Sequence, residues 1–201
     1  YLGRKVSITD FHQIEFKNRM ASAWGAFFKF QVSLCNRHVP LKHRLKLFES
    51  CVTPCALYSC GTWTVTVEMQ HKLSTTRRKM LRWIVAVPRH RDEEWVDYIQ
   101  RATHRSEELA TRHGHVDWVT LSRQRKWTLA GRAARSEDGR WMRRILSWRP
   151  WFRIVPHRCV GRPLKRWDDD LVTLAGDSWP DSARDTAIWD AAASAYINHT
   201  A

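Results

Sequence analysis

The apolar positions along this chain recur at helical spacing and almost never alternate, so the pattern predicts a mostly α fold. Residues 1–8 are the exception, an extended tail that reads as the terminal strand of a truncated sheet. Thr9 or Asp10 can cap a first helix over about 10–34, with Ile14, Ala21, Trp24, Phe28 and Val32 on its apolar side. Pro40 suits the first turn of a second helix, which turns Leu41, Leu45, Phe48 and Val52 inward and Lys42, His43, Arg44 and Lys46 outward, and ends between Pro54 and Gly61. Residues 62–67 are compatible with a short strand, but their place before Glu68 favours Thr66 as the N-cap of a third helix. That helix carries Met69, Leu73, Met80, Leu81, Ile84 and Val85 inward and stops at Pro88.

A fourth helix is expected over 92–113, with Trp95, Tyr98, Ile99, Ala102 and Leu109 facing the core and Gly114 ending it. A helical pair follows over 118–135 and 137–148. Pro150, Pro156, Gly161 and Pro163 then break the periodicity, which makes 149–163 an irregular basic linker, and two last helices are expected near 164–175 and 182–198. The expected organisation is a terminal strand (1–8), a helical bundle (9–90), a basic helical extension (91–148), the linker (149–163) and acidic C-terminal helices (164–201).

Charge changes the picture most. The 201 residues hold 34 Lys and Arg against 20 Asp and Glu, a net +14, which favours a polyanionic partner such as RNA or DNA. The excess is uneven: residues 123–166 hold 14 basic and 2 acidic side chains, whereas 167–201 hold 7 Asp and 1 Arg. The 12 Trp are spread from Trp24 to Trp189, so most are expected in the core, with a few beside Arg free to stack on bases. Five Cys without a regular framework indicate a reducing compartment, nuclear or cytoplasmic, and no apolar run calls for a membrane.

The candidate phosphate contacts are basic helix faces: Arg77, Arg78, Lys79 and Arg82 on the third helix; Arg123, Arg125, Lys126, Arg132 and Arg135 on the fifth; and Arg162, Lys165 and Arg166 after the linker. Asp168, Asp169 and Asp170 could be read as a two-metal carboxylate set; their place before Leu171 and Leu174 reads better as a helix start that complements the dipole and pairs with Arg162, Lys165 or Arg166. Cys51, Cys55 and Cys60, with His38 or His43, lack the second ligand pair of a zinc site and read as buried thiols. His113 and His115 flank a glycine helix stop. No phosphate loop, nucleophile elbow or His-Glu-x-x-His occurs, so no catalytic residue is assigned and no cofactor is expected in this segment.

Several short motifs carry a resemblance. Tyr1-Leu2-Gly3, then Trp24, Leu45-Lys46-Leu47-Phe48, Val52-Thr53-Pro54, Leu57-Tyr58 and Gly61-Thr62-Trp63-Thr64, resembles the region just after the catalytic palm in reverse transcriptases of non-LTR, LINE-like retrotransposons. Arg78-Lys79-Met80-Leu81-Arg82 is similar to the run on that family's following thumb helix. Trp127-x-x-Ala130-Gly131-x-x-Ala134-Arg135, Arg140-Trp141 and Gly161-Arg162-Pro163-x-x-Arg166-Trp167-x-Asp169 are similar to its C-terminal extension.

The resemblance implies a thumb-like helical bundle and a basic extension of an RNA-directed DNA polymerase. Such a segment grips the template–primer duplex, reaches RNA and target DNA, and works with the palm and fingers upstream in the same polypeptide, where Mg²⁺ is bound. The alternative is a stand-alone helical module, from a degenerate retroelement copy, that binds nucleic acid or a protein.

Overall fold

The computed structural model describes residues 11–137, 141–147 and 165–198, and among them the chain is mostly helical, with no strand. The expected terminal strand at 1–8 and the linker at 149–163 lie outside the described residues. The chain divides into two compact units: Tyr1–Ser59 with Val65–Leu121, and Cys60–Thr64 with Ser122–Ala201. These are not the segments into which charge and punctuation divide the sequence, because five residues from the middle of the chain join the C-terminal unit.

The first unit contains α1 (Phe11–Lys29), α2 (Gln31–Leu34), α3 (Leu41–Cys51), α4 (Thr53–Ala56), α5 (Val67–Val85) and α6 (Trp95–Arg112). Its core is made by Phe16, Met20, Ala23 and Phe27 of α1, Leu45 and Phe48 of α3, and Leu73, Met80, Leu81 and Ile84 of α5. The first helix is broken at Phe30, and its buried face is not the expected one. Ile14, Ala21, Phe28 and Val32 are exposed and Trp24 is half-buried. Two overlapping stripes of apolar residues occupy α1, and the one through Phe16, Met20, Ala23 and Phe27 keeps the tighter i, i+4, i+7, i+11 spacing that faces one core. On α6 the buried residues are Ala102, Ser106 and Ala110, while Trp95, expected inward, is exposed. Small residues there allow α5 and α6 to approach closely.

The helix limits follow local chemistry. Thr66 caps α5, its Oγ1 accepting from the Met69 amide at 3.2 Å, and Ala86 ends that helix in the left-handed region at φ 51°. Gly114, with φ 78°, follows the end of α6. Two arginines then satisfy carbonyls at the α5 C-terminus: Arg44 donates to Ile84 O, and Arg37 donates to Ala86 O at 3.2 Å. Arg44 is therefore buried, contrary to its expected outward place on the second helix, and burial lowers its pKa. Trp118 stacks on Phe48 at 5.8 Å and donates to Thr53 Oγ1 at 2.9 Å.

The second unit is built on most of α7 (Trp118–Arg135), with α8 (Trp141–Ser147), α9 (Asp169–Ala175), α10 (Trp179–Ser182), α11 (Thr186–Asn198) and a short 3₁₀ turn at Cys60–Thr62. Its core gathers Trp127, Ala130, Ala134, Leu171, Trp179, Ala183, Trp189 and Tyr196. The indoles of Trp127 and Trp189 stack at 3.7 Å and 7°, and each N–H donates to the other residue's carbonyl, at 3.1 and 3.2 Å. This pairing satisfies both buried indole donors at once.

Candidate nucleic-acid interface

The third-helix stripe divides by burial. Arg77 lies inside the first unit, 3% exposed, with Asp117 at 4.0 Å; desolvation pulls its pKa down and Asp117 opposes that. Arg77 is thus removed from the set of phosphate contacts, since burial puts its guanidinium out of reach. Arg78 is exposed and paired with Glu107 of α6 at 2.8 Å, Arg82 donates to Thr103 of α6 at 2.8 Å, and Lys79 stands exposed with its ammonium 5.6 Å from the Trp24 ring. Arg78 and Arg82 therefore stitch α5 to α6, with Arg78 exposed and Arg82 half-buried.

The second basic set divides the same way. Lys126 is buried and bonded to both carboxylate oxygens of Asp170, at 2.7 and 2.9 Å, with the Trp167 ring 5.1 Å from its ammonium. Desolvation lowers the Lys126 pKa and Asp170 counters it. Tyr196 donates to Asp170 at 2.9 Å, and burial drives its own pKa upward. Lys126 is accordingly a core ion-pair residue instead of a surface cation. Arg123 donates to Ile197 O at 3.2 Å and Arg135 to Ala183 O at 2.7 Å, both neutralising carbonyls at helix ends. Arg125, Arg132, Lys165 and Arg166 are exposed, and Arg162 lies outside the described residues.

The aspartate run starts α9 as expected, with Asp169 and Asp170 in its first turn and Asp169 Oδ2 accepting from the Arg166 amide at 2.7 Å. Lys126, 44 residues away, is the partner of Asp170 that the sequence reading missed. Cys60 is buried, while Cys35, Cys51 and Cys55 are partly covered, and all four are free thiols. Burial raises the pKa of Cys35 and Cys60. Among the described residues no three His, Cys, Asp or Glu side chains converge as a metal set. His115 lies 3.7 Å from Glu49, and burial together with Arg77 and His113 lowers its pKa.

Trp24 and Phe28, expected on the apolar side of the first helix, belong to an aromatic cluster that is partly open to solvent. Trp24 stacks on Phe28 at 5.6 Å, and both meet Trp83 of α5, at 5.9 and 6.1 Å. The available signal was the repeat of Trp24 with Phe28, and of Lys79 with Trp83, each one helical turn apart.

Three of the motifs that carry the resemblance, those at Gly61, at Trp127–Arg135 and at Arg166–Asp169, meet in the second unit. Trp167 donates to Gly61 O at 2.8 Å, Gly61 packs against the backbone of Arg125, and a Cβ on Gly131 would lie 2.7 Å from the Trp189 indole nitrogen. Residues near 61, 127–135 and 167–170, far apart in sequence, thus hold one another in place.

The chain is similar to a transposon-derived protein. This relative, an uncharacterized transposon-derived protein of Caenorhabditis elegans, is 29% identical over 198 residues, covering 94% of this chain and 67% of its own length. The similarity points to a transposon origin. No protein-family profile matches the chain, and no solved structure matches it. Among the described residues no helix is long and apolar enough to cross a membrane.

Proposed function

We propose that this chain holds nucleic acid for a catalytic centre carried elsewhere, as the thumb and C-terminal extension of a LINE-like RNA-directed DNA polymerase. The observation that supports this furthest is the ordered set of motifs, from Trp24 to Asp169, lying within a stretch similar to a transposon-derived protein over 94% of the chain. The net charge of +14 agrees with a polyanionic ligand.

The mechanism is positioning. Arg78, Lys79 and Arg82 on α5, with Arg125, Arg132, Lys165 and Arg166 in the second unit, contact phosphates and leave base sequence unread. Arg162 belongs to the same proposed set. Arg77 and Lys126 take no part except by holding their units together. The substrate is a template–primer duplex, with target DNA or template RNA at the extension, and the upstream palm and fingers supply Mg²⁺ and chemistry.

Fluorescence anisotropy with a labelled RNA–DNA hybrid across a salt series tests this. Affinity is expected to fall steeply as salt rises from about 50 to 200 mM, and Arg78→Ala with Arg82→Ala is expected to weaken binding equally on unrelated sequences. A flat salt response removes the premise.

A further inference from the structure

The open aromatic cluster on α1 and α5 has the composition of a base-stacking surface. Phe28 is 52% exposed and Trp83 39% exposed, although both sit in ring contact with the half-buried Trp24. Two exposed rings packed on a half-buried third are unusual on a surface whose only role is solvation. The ring planes differ: Phe28 lies nearly parallel to Trp24, at 27°, whereas Trp83 is tilted by about 60° to each. The open rings therefore present faces in more than one direction, as a strand of successive bases requires.

The charges around these rings favour a polyanion. The Lys79 ammonium lies 5.6 Å from the Trp24 ring, and Lys29 follows Phe28 on α1, its ammonium 5.5 Å from the Phe30 ring. The single acid on α1, Glu15, is buried and bonded to Arg19 at 2.6 Å. The single acid on α5, Glu68, stands in its first turn, three turns before Lys79. From α6, Glu107 is bonded to Arg78. Lys79 thus borders the rings, Lys29 adjoins Phe28 along α1, and the acids of α1 and α5 are either committed or distant along their helix.

We propose that Trp24, Phe28 and Trp83 form a platform on which unpaired bases of a single strand stack, with Lys79 and Lys29 holding the adjoining phosphates. This inference rests on the nucleic-acid reading above and adds to it the single-stranded ligand and its seat. A duplex has its bases already stacked on one another and offers such rings only base edges, whereas every unpaired base has a free π-face.

The test uses the full chain and fluorescein-labelled 15-mers of dT and rU, beside an RNA–DNA hybrid of the same length, with thermal unfolding of each variant as the fold control. Phe28→Leu and Trp83→Leu keep an apolar side chain but remove the π-face. Each is expected to lower single-strand affinity by about tenfold without changing the salt slope, to remain folded at the assay temperature, and to leave hybrid binding unchanged. Lys79→Gln is expected to reduce the single-strand salt slope by about 0.7. The homopolymer that loses more affinity identifies the strand that is seated.

Wild-type affinity of Phe28→Leu and Trp83→Leu for both homopolymers, with the steep salt response intact, overturns the platform while leaving phosphate binding in place. Equal losses on hybrid and single strand overturn the single-strand assignment. A shift from dimer to monomer in Phe28→Leu by sedimentation, with oligonucleotide affinity unchanged, shows that the rings seat a second copy instead.

Discussion

Gly131 and Gly25 both lie within helices, and their surroundings make opposite demands. A methyl group at Gly131 meets Trp189 Nε1 at 2.7 Å and Cδ1 at 2.8 Å, whereas one at Gly25 meets nothing within 4 Å. Gly131→Ala is therefore expected to cost about 2 kcal/mol by forcing the indole from its stack, measured by urea unfolding and by loss of near-UV circular dichroism from the paired Trp. Gly25→Ala is expected to stabilise α1 by up to about 1 kcal/mol in the same assay. A parallel contrast separates two cations on α7. Lys126→Ala strands Asp170 and is expected to cost about 3 kcal/mol. Arg132→Ala, at an exposed site, is expected to stay within about 0.5 kcal/mol of wild type while weakening hybrid binding. If the two variants lose stability equally, the division between core and surface cations fails. Sequence pattern could not make this division. A charged residue at a helical position is read outward by default, and what reverses the reading for Arg44, Arg77 and Lys126 is a partner 40 or more residues away.

Helices were more legible than the faces they bury. Thr66, Pro88 and Gly114 mark their ends through backbone chemistry that needs no tertiary information, and the structure ends α5 and α6 close to those signals. Thr66→Ala is accordingly expected to lower the unfolding free energy by about 1 kcal/mol. The burial of α1 was less legible because two apolar stripes share one helix, and only packing against α4 and α5 selects between them. The segment before α6 carries a pH-dependent tie: Arg101 bonds both carboxylate oxygens of Glu93 at 2.7 Å and holds that carboxyl at a pKa of about 2. A carboxyl depressed in the folded state stabilises it above the ordinary Glu range, near 4.5, and that contribution fades as pH falls toward 2. Glu93→Gln should thus reduce stability at pH 7 and have a shrinking effect below pH 4.5; a penalty constant across that range would show that the carboxylate charge is not its source.

At the scale of the whole chain, the C-terminal unit is not a C-terminal segment. It needs Cys60–Thr64, which brings the Gly61 carbonyl to Trp167 and the buried Trp63. A fragment of residues 122–201 is expected to be largely unfolded by circular dichroism, with its helicity restored only in the intact chain. The charge blocks gave no hint of this assembly, since its decisive bonds are made by Trp, Gly and backbone groups. The discontinuity also sets an order in time. During synthesis at about 5–20 residues per second, Gly61 leaves the ribosome on the order of ten seconds before Trp189. Throughout that interval the core of its unit lacks the indole that stacks on Trp127, so this early stretch must wait for the end of the chain before its own unit can close.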